Sequence, residues 1–183
     1  MRLAQNAISF SHFIAKQIID VGDIAVDATA GNGHDTIFLA ELVGPTGYVY
    51  AFDIQEQAIN ITKEKLILAN LRNRVNLIHD GHQNLDIYVT QPVKLVMFNL
   101  GYLPKSNKKI ITKPDTTIEA IKKSLFYLAG HGAVILTVYT GHTGGQEEWQ
   151  FIYSYLHQLP KEQYDVMVYK HLNRSHLCPL VID

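Results

Sequence analysis

Val26-Asp27-Ala28-Thr29-Ala30-Gly31-Asn32-Gly33-His34-Asp35-Thr36 follows the apolar pair Ile24-Ala25 and precedes Phe38, Leu39 and Leu42 at helical spacing. The pattern predicts a buried strand, a tight turn and a helix start. Glycine at 31 and 33 permits positive φ and lets a ligand approach backbone that a Cβ would shield. The free N–H groups of the helix start suit an electron-rich ligand. A dinucleotide site has the spacing G-x-G-x-x-G, and here Thr36 stands where the third glycine belongs. Asp27, at the carboxyl edge of the strand, would repel a pyrophosphate but could accept hydrogen bonds from an amino-acid ammonium. The alternative is a structural turn with Asp27 as a surface acid.

A second acid narrows the reading. Tyr48-Val49-Tyr50-Ala51-Phe52 alternates as a strand and ends in Asp53, where a carboxylate can hold both hydroxyls of a ribose. Asp27, the Gly31/Gly33 turn and Asp53 together suit S-adenosylmethionine better than a dinucleotide. This arrangement resembles the class I methyltransferases, whose first strand carries D/E-x-x-x-G-x-G and whose second strand ends in an acid.

Composition sets the outer bounds. The 183 residues are 47% hydrophobic and 18% charged, which fits one globular domain over 1–183 and excludes a disordered chain. No apolar run approaches the length of a membrane span and no signal peptide is legible, so a cytoplasmic location is expected. Sixteen basic and 17 acidic residues give no overall pull toward nucleic acid. The single Cys178 cannot form an intramolecular disulfide, and the nine histidines lack a metal-ligand spacing such as H-x-x-x-H, so no metal is expected.

In chain order, residues 4–20 read as a first helix with Phe10, Phe13, Ile14 and Ile18 on its buried side, and His12 as a face residue without a ligand role. Helices over 34–43 and 55–69 alternate with strands over 24–26, 48–53 and 75–79. The third strand runs into Asp80-Gly81-His82, and His82 is either beside adenine or an exposed loop imidazole. Val93–Phe98 is a continuous apolar strand. A helix capped by Thr117 runs to Leu128, the fifth strand spans Ala133–Tyr139, and the last long helix covers Glu147–Gln158 with Phe151, Ile152 and Tyr155 inward. Strands over 164–169 and 177–182 have a seven-residue connection, which favours an antiparallel hairpin. Pro179 inside the last strand requires a bulge or an edge. The whole predicts a Rossmann-like α/β fold, a seven-stranded mostly parallel sheet with helices on both faces and a C-terminal antiparallel hairpin.

The fourth strand delivers Asn99-Leu100-Gly101-Tyr102-Leu103-Pro104 to the edge where open α/β sheets bind ligands. An Asn side chain there can accept hydrogen bonds from an amine, and Tyr102 can stack on a planar base. The stretch is similar to the N-P-P-Y motif of class I enzymes that methylate nitrogen, with Leu100 and Gly101 in place of the prolines. Four lysines within Lys105–Lys113 can meet phosphates, or form an ordinary solvated loop. Tyr139 and His142, in the glycine-rich stretch after the fifth strand, can contact substrate, or the stretch can be a hinge.

D-A-T-A-G-N-G-H-D-T, F-D-I-Q, D-G-H, N-L-G-Y-L-P and the segment Lys113-Pro114-Asp115-Thr116-Thr117 together resemble the YtqB/MnmM family over essentially the whole chain. That family was long labelled as rRNA methylases. The resemblance implies methylation, from S-adenosylmethionine, of the aminomethyl group of 5-aminomethyl-2-thiouridine at the tRNA wobble position 34. The anticodon stem-loop would be the partner, with the loops around 101–116 and 170–176 in contact with it. Asp27, Ala28 and the turn from Gly31 to Gly33 are then expected to hold the methionine part, with Asn32, Asp35 and Thr36 closing around it. Asp53 and Gln55 would hold the ribose, and Gly81 and His82 would lie near adenine. Asn99 would orient the amine, Tyr102 would pack on the base, and Tyr139 or His142 would assist proton loss. A homodimer would present more basic surface, although no interface signature is legible. An rRNA or small-molecule methyltransferase shares the donor residues, and a nicotinamide-dependent reductase shares only the first half of the fold.

Overall fold

The computed structural model describes residues 6–101, 112–141, 144–169 and 177–182. Helix α1 (Ala7–Ile18) leads to β1 (Ile24–Asp27), α2 (His34–Leu42), β2 (Tyr48–Phe52), α3 (Glu56–Leu68) and β3 (Val75–Ile78). A short α4 (Leu85–Tyr88) precedes β4 (Val93–Leu100), α5 (Pro114–Tyr127), β5 (Leu128–Tyr139) and α6 (Gly145–Leu156). The chain closes with β6 (Val166–Val168) and β7 (Leu177–Ile182). The strands form a sheet of order β3-β2-β1-β4-β5-β7-β6. Neighbours from β3 to β5 are parallel, and β7 runs antiparallel to both β5 and β6.

Alternation along the strands sends side chains to opposite faces, and both faces are dry. Ala25, Val49, Leu95 and Ile135 pack beneath α1, α2 and α3 through Ala15, Leu39 and Leu66. Val26, Phe52, Phe98 and Leu136 pack against α5 and α6 through Ile121 and Ile152. The order reverses between β1 and β4, so a crevice opens at their carboxyl ends. Asp27, Asn99 and Tyr139 lie at or next to the last residues of β1, β4 and β5, and Asp53 directly follows β2.

Several local expectations change. Helix α1 buries its small face, Ala7, Ser11 and Ala15, while Phe13 is exposed. The fifth helix starts at Pro114 behind Lys113, so Thr117 is not its cap; its hydroxyl donates to the buried Glu148 of α6. In α6 the buried row is Glu148, Ile152 and Leu156, and Phe151 is half exposed. Strand β7 is not an edge strand, because it lies between β5 and β6, and its pairing with β5 runs unbroken through Thr137 and Pro179. β6 ends at Val168 opposite Leu180, so Pro179 has no partner on that side.

The turn between β1 and α2 is held from behind by α3. Gly33 has φ 77° and caps α2, and a Cβ placed on it would lie 2.8 Å from Thr62 Oγ1. Thr62 donates to the Gly31 carbonyl at 3.1 Å, and Lys65 Nζ to that of Asn32 at 2.7 Å. Gly33→Ala combines left-handed strain with this collision and is expected to cost about 1–3 kcal/mol. Urea unfolding of the two proteins measures it.

Candidate functional site

Three acids converge at the crevice. Asp27 is only 1% exposed; it accepts from Thr36 Oγ1 at 2.5 Å and from the Thr29 N–H at 3.1 Å. Burial, then the charge of Asp35, pushes its pKa up to about 7. The surface-acid alternative is therefore excluded. Asp53 accepts from the Gly31 N–H and the Gln55 N–H, both at 2.8 Å, and burial raises its pKa as well. It ties the glycine turn to the end of β2, and the backbone of Gln55 opens α3 beside it.

Asp35, in the first turn of α2, is 7% exposed. One of its oxygens lies 2.6 Å from His12 Nε2, and the other accepts from Asn99 Nδ2 at 3.2 Å. Among the described residues no lysine or arginine pairs with any of the three acids. A crevice lined this way favours a cation and disfavours pyrophosphate.

Asn99 joins β4 to this network. Its N–H donates to Thr29 Oγ1 at 2.7 Å, its amide nitrogen donates to Asp35 at 3.2 Å, and its Oδ1 is buried without a partner among the described residues. A carboxylate only accepts, so Asp35 dictates which end of the amide faces it. Burial, with the charge of Asp35, raises the pKa of Tyr139, so its hydroxyl keeps its proton at neutral pH.

His82 is 8% exposed, which excludes the exposed-imidazole alternative. Its Nδ1 meets the Ala28 carbonyl at 3.0 Å, its ring packs edgewise on Phe98, and its Nε2 has no partner. Burial lowers its pKa and keeps it neutral, so Nδ1 donates and Nε2 is left as an acceptor. Gly81 lies beside Asp80, whose carboxylate holds the Gly81 N–H, Asn84 and Tyr88.

The structure thus brings Asp27, Ala28, Gly31, Asn32, Gly33, Asp35, Thr36, Asp53, Gln55, Gly81, His82, Asn99 and Tyr139 to one sheet edge. Tyr102, His142, most of the lysine-rich segment and the loop over 170–176 lie outside the described residues. His12, Thr29, Thr62 and Lys65 were not legible as site residues. The signal for His12 was the polar pair Ser11-His12 between Phe10 and Phe13.

Residues 49–182 match the family described as "Putative rRNA methylase". The chain belongs to this family. A crystal structure of that same description from Clostridium thermocellum has a TM-score of 0.96 at 42% identity, with 98% of each chain covered. A Streptococcus mutans protein solved in complex with S-adenosylhomocysteine (SAH) has a TM-score of 0.89 at 41% identity, again over 98% of each chain. The chloroplastic tRNA (mnm5s2U34)-methyltransferase of Arabidopsis thaliana is 37% identical over 97% of this chain and 68% of its own length. The chain is accordingly an S-adenosylmethionine-dependent methyltransferase of class I fold. Its own residues fit that cofactor: a cation-seeking crevice, a glycine turn at the strand edge, and a buried acceptor at His82 Nε2 without a partner among the described residues.

The raised pKa of Asp27 sets a pH dependence. Folded, the carboxyl keeps its proton up to about pH 7, whereas its ordinary value is 3.8. Folding takes up a proton between those values, so the unliganded protein loses stability as pH rises through that window. Its melting temperature is expected to fall between about pH 4 and about pH 7, and Asp27→Asn to remove most of the fall. Asp53 contributes in the same direction, so a smaller slope should persist in the variant.

Proposed function

We propose that this methyltransferase acts on tRNA and methylates the primary amine of 5-aminomethyl-2-thiouridine at wobble position 34. The observation that carries the nitrogen acceptor is Asn99 Oδ1, buried, unpartnered and turned away from Asp35 at the carboxyl end of β4. An amide oxygen in that position accepts an N–H and leaves the amine lone pair free to point elsewhere. The printed activity of the Arabidopsis relative supports the tRNA and the modified base.

When bound, S-adenosylmethionine supplies an activated methyl group on a sulfonium. Asp27, with the turn from Gly31 to Gly33, would hold its amino-acid end, and Asn32, Asp35 and Thr36 would close around it. Asp53, with Gln55, would hold the ribose. Gly81 and the neutral His82 would border the adenine. Asn99 accepts one amine N–H and thereby aims the nitrogen at the methyl carbon, the positioning term that dominates such transfers. Tyr139 ends β5 beside Asn99. The acceptor, drawn in as an ammonium by the acids of the crevice, gives up its proton to solvent before its lone pair attacks the methyl carbon. A wobble base lies in a loop, so presenting it costs less than extruding a paired base.

The test is methyl transfer from labelled S-adenosylmethionine to total RNA of cells lacking this protein, followed by nucleoside mass analysis. Label is expected in 5-methylaminomethyl-2-thiouridine of the tRNA fraction. Label confined to rRNA, or absent from RNA while the cofactor still binds, would overturn the assignment. Asn99→Ala is expected to lower the rate by about 10²-fold with little change in cofactor affinity, measured by single-turnover kinetics and calorimetry.

A further inference from the structure

We infer that His12, contributed by α1 from outside the strand-end motifs, is a positioning residue for the acceptor amine, acting through Asp35 on Asn99. This rests on the nitrogen-acceptor reading above and adds a residue to it.

The inference stands on a chain of contacts. His12 Nε2 lies 2.6 Å from Asp35 Oδ1, and Asp35 Oδ2 takes the Asn99 amide nitrogen at 3.2 Å. Because a carboxylate cannot donate, the orientation of Asp35 decides that Asn99 presents its oxygen to the crevice. Among the described residues Asp35 is in turn held from the far side by His12, whose ring is stacked on Phe38 with centroids 3.8 Å apart and planes 2° from parallel. An imidazole clamped in that way has little freedom to follow a moving carboxylate, so it acts as a fixed stop.

Helix α1 is itself anchored beside the reacting edge. Ser11, the preceding residue, meets Thr137 Oγ1 at 3.0 Å in a buried hydroxyl pair, and Thr137 is the register partner of Asn99 across β4 and β5. Two consecutive residues of α1 therefore grip both sides of Asn99: Ser11 its neighbour on β5, His12 its carboxylate on α2. The buried face of the helix is Ala7, Ser11 and Ala15, with Ile14 and Ile18 packed beside it. His12 lies one position off Ser11, stacks on Phe38 and reaches Asp35.

The experiment compares wild type with His12→Ala, His12→Leu and His12→Gln. The substrate is tRNA that carries the 5-aminomethyl group, with cofactor affinity by calorimetry and melting temperature alongside. His12→Leu keeps bulk without a donor, and His12→Gln keeps a donor. Ala and Leu are expected to lower single-turnover methyl transfer about 10- to 100-fold while cofactor affinity stays within about threefold, and Gln to recover most of the loss. Should Ala lower the melting temperature below the assay temperature, the Leu and Gln pair decides. Equal rates for Leu and Gln, or a loss of cofactor affinity as large as the loss of rate, would overturn the inference. Failure of the wild type itself to methylate this tRNA would instead overturn the substrate reading and the inference with it.

Discussion

Asp27 is buried at the carboxyl edge of β1 with a hydroxyl and an N–H against it and no cation, while a second buried carboxylate, Asp35, lies close enough to raise its pKa. Buried carboxylates packed together favour a positive partner, and among the described residues neither pairs with a lysine or arginine. Among the described residues the site is therefore electrostatically incomplete in a specific sense: no lysine or arginine faces these acids. The cofactor carries positive charge as sulfonium and ammonium, and the amine acceptor proposed above would carry it as ammonium. The same incompleteness disfavours a pyrophosphate, which is why a Rossmann-like fold with a glycine turn here serves a methyl donor rather than a dinucleotide.

The rest of the architecture holds these charges in register. Parallel strands β1, β2 and β4 place Asp27, Asp53 and Asn99 at one edge, and backbone hydrogen bonds from Gly31 and Gln55 fasten Asp53 to the turn and to α3. Thr62 and Lys65 brace the turn from α3, so the glycines need not hold their own geometry. On the acceptor side Glu148 takes hydroxyls from Thr112 and Thr117, which ties the start of α5 to the first turn of α6.

Much of this was readable in the chain. Five strands with helices between them follow from apolar runs alternating with helical periodicity, because a sheet covered on both faces makes its strands continuously apolar. The acids at the ends of β1 and β2 were legible for the same reason: a charged residue that ends an apolar strand must stand at the sheet edge. Reading α1 by hydrophobicity chose the stripe Phe10, Phe13, Ile14 and Ile18, yet the helix approaches the sheet through Ala7, Ser11 and Ala15. Close approach is governed by size, and a hydrophobic pattern does not report it. The same error placed Phe151 inward in α6, where the buried row runs through Glu148, Ile152 and Leu156.

By itself, then, the sequence determined the order of elements, the cofactor turn, the placement of Asp27, Asp53 and Asn99 at strand ends, and the antiparallel close. Only the tertiary structure decided that β7 enters between β5 and β6, that His82 turns inward onto the Ala28 carbonyl, and that His12 meets Asp35 across 23 residues of chain. The reason is one of range. Periodicities of 2 and 3.6 residues are local properties that any strand or helix displays. The partner of a buried polar atom is whichever group the packing of distant elements carries within hydrogen-bond distance.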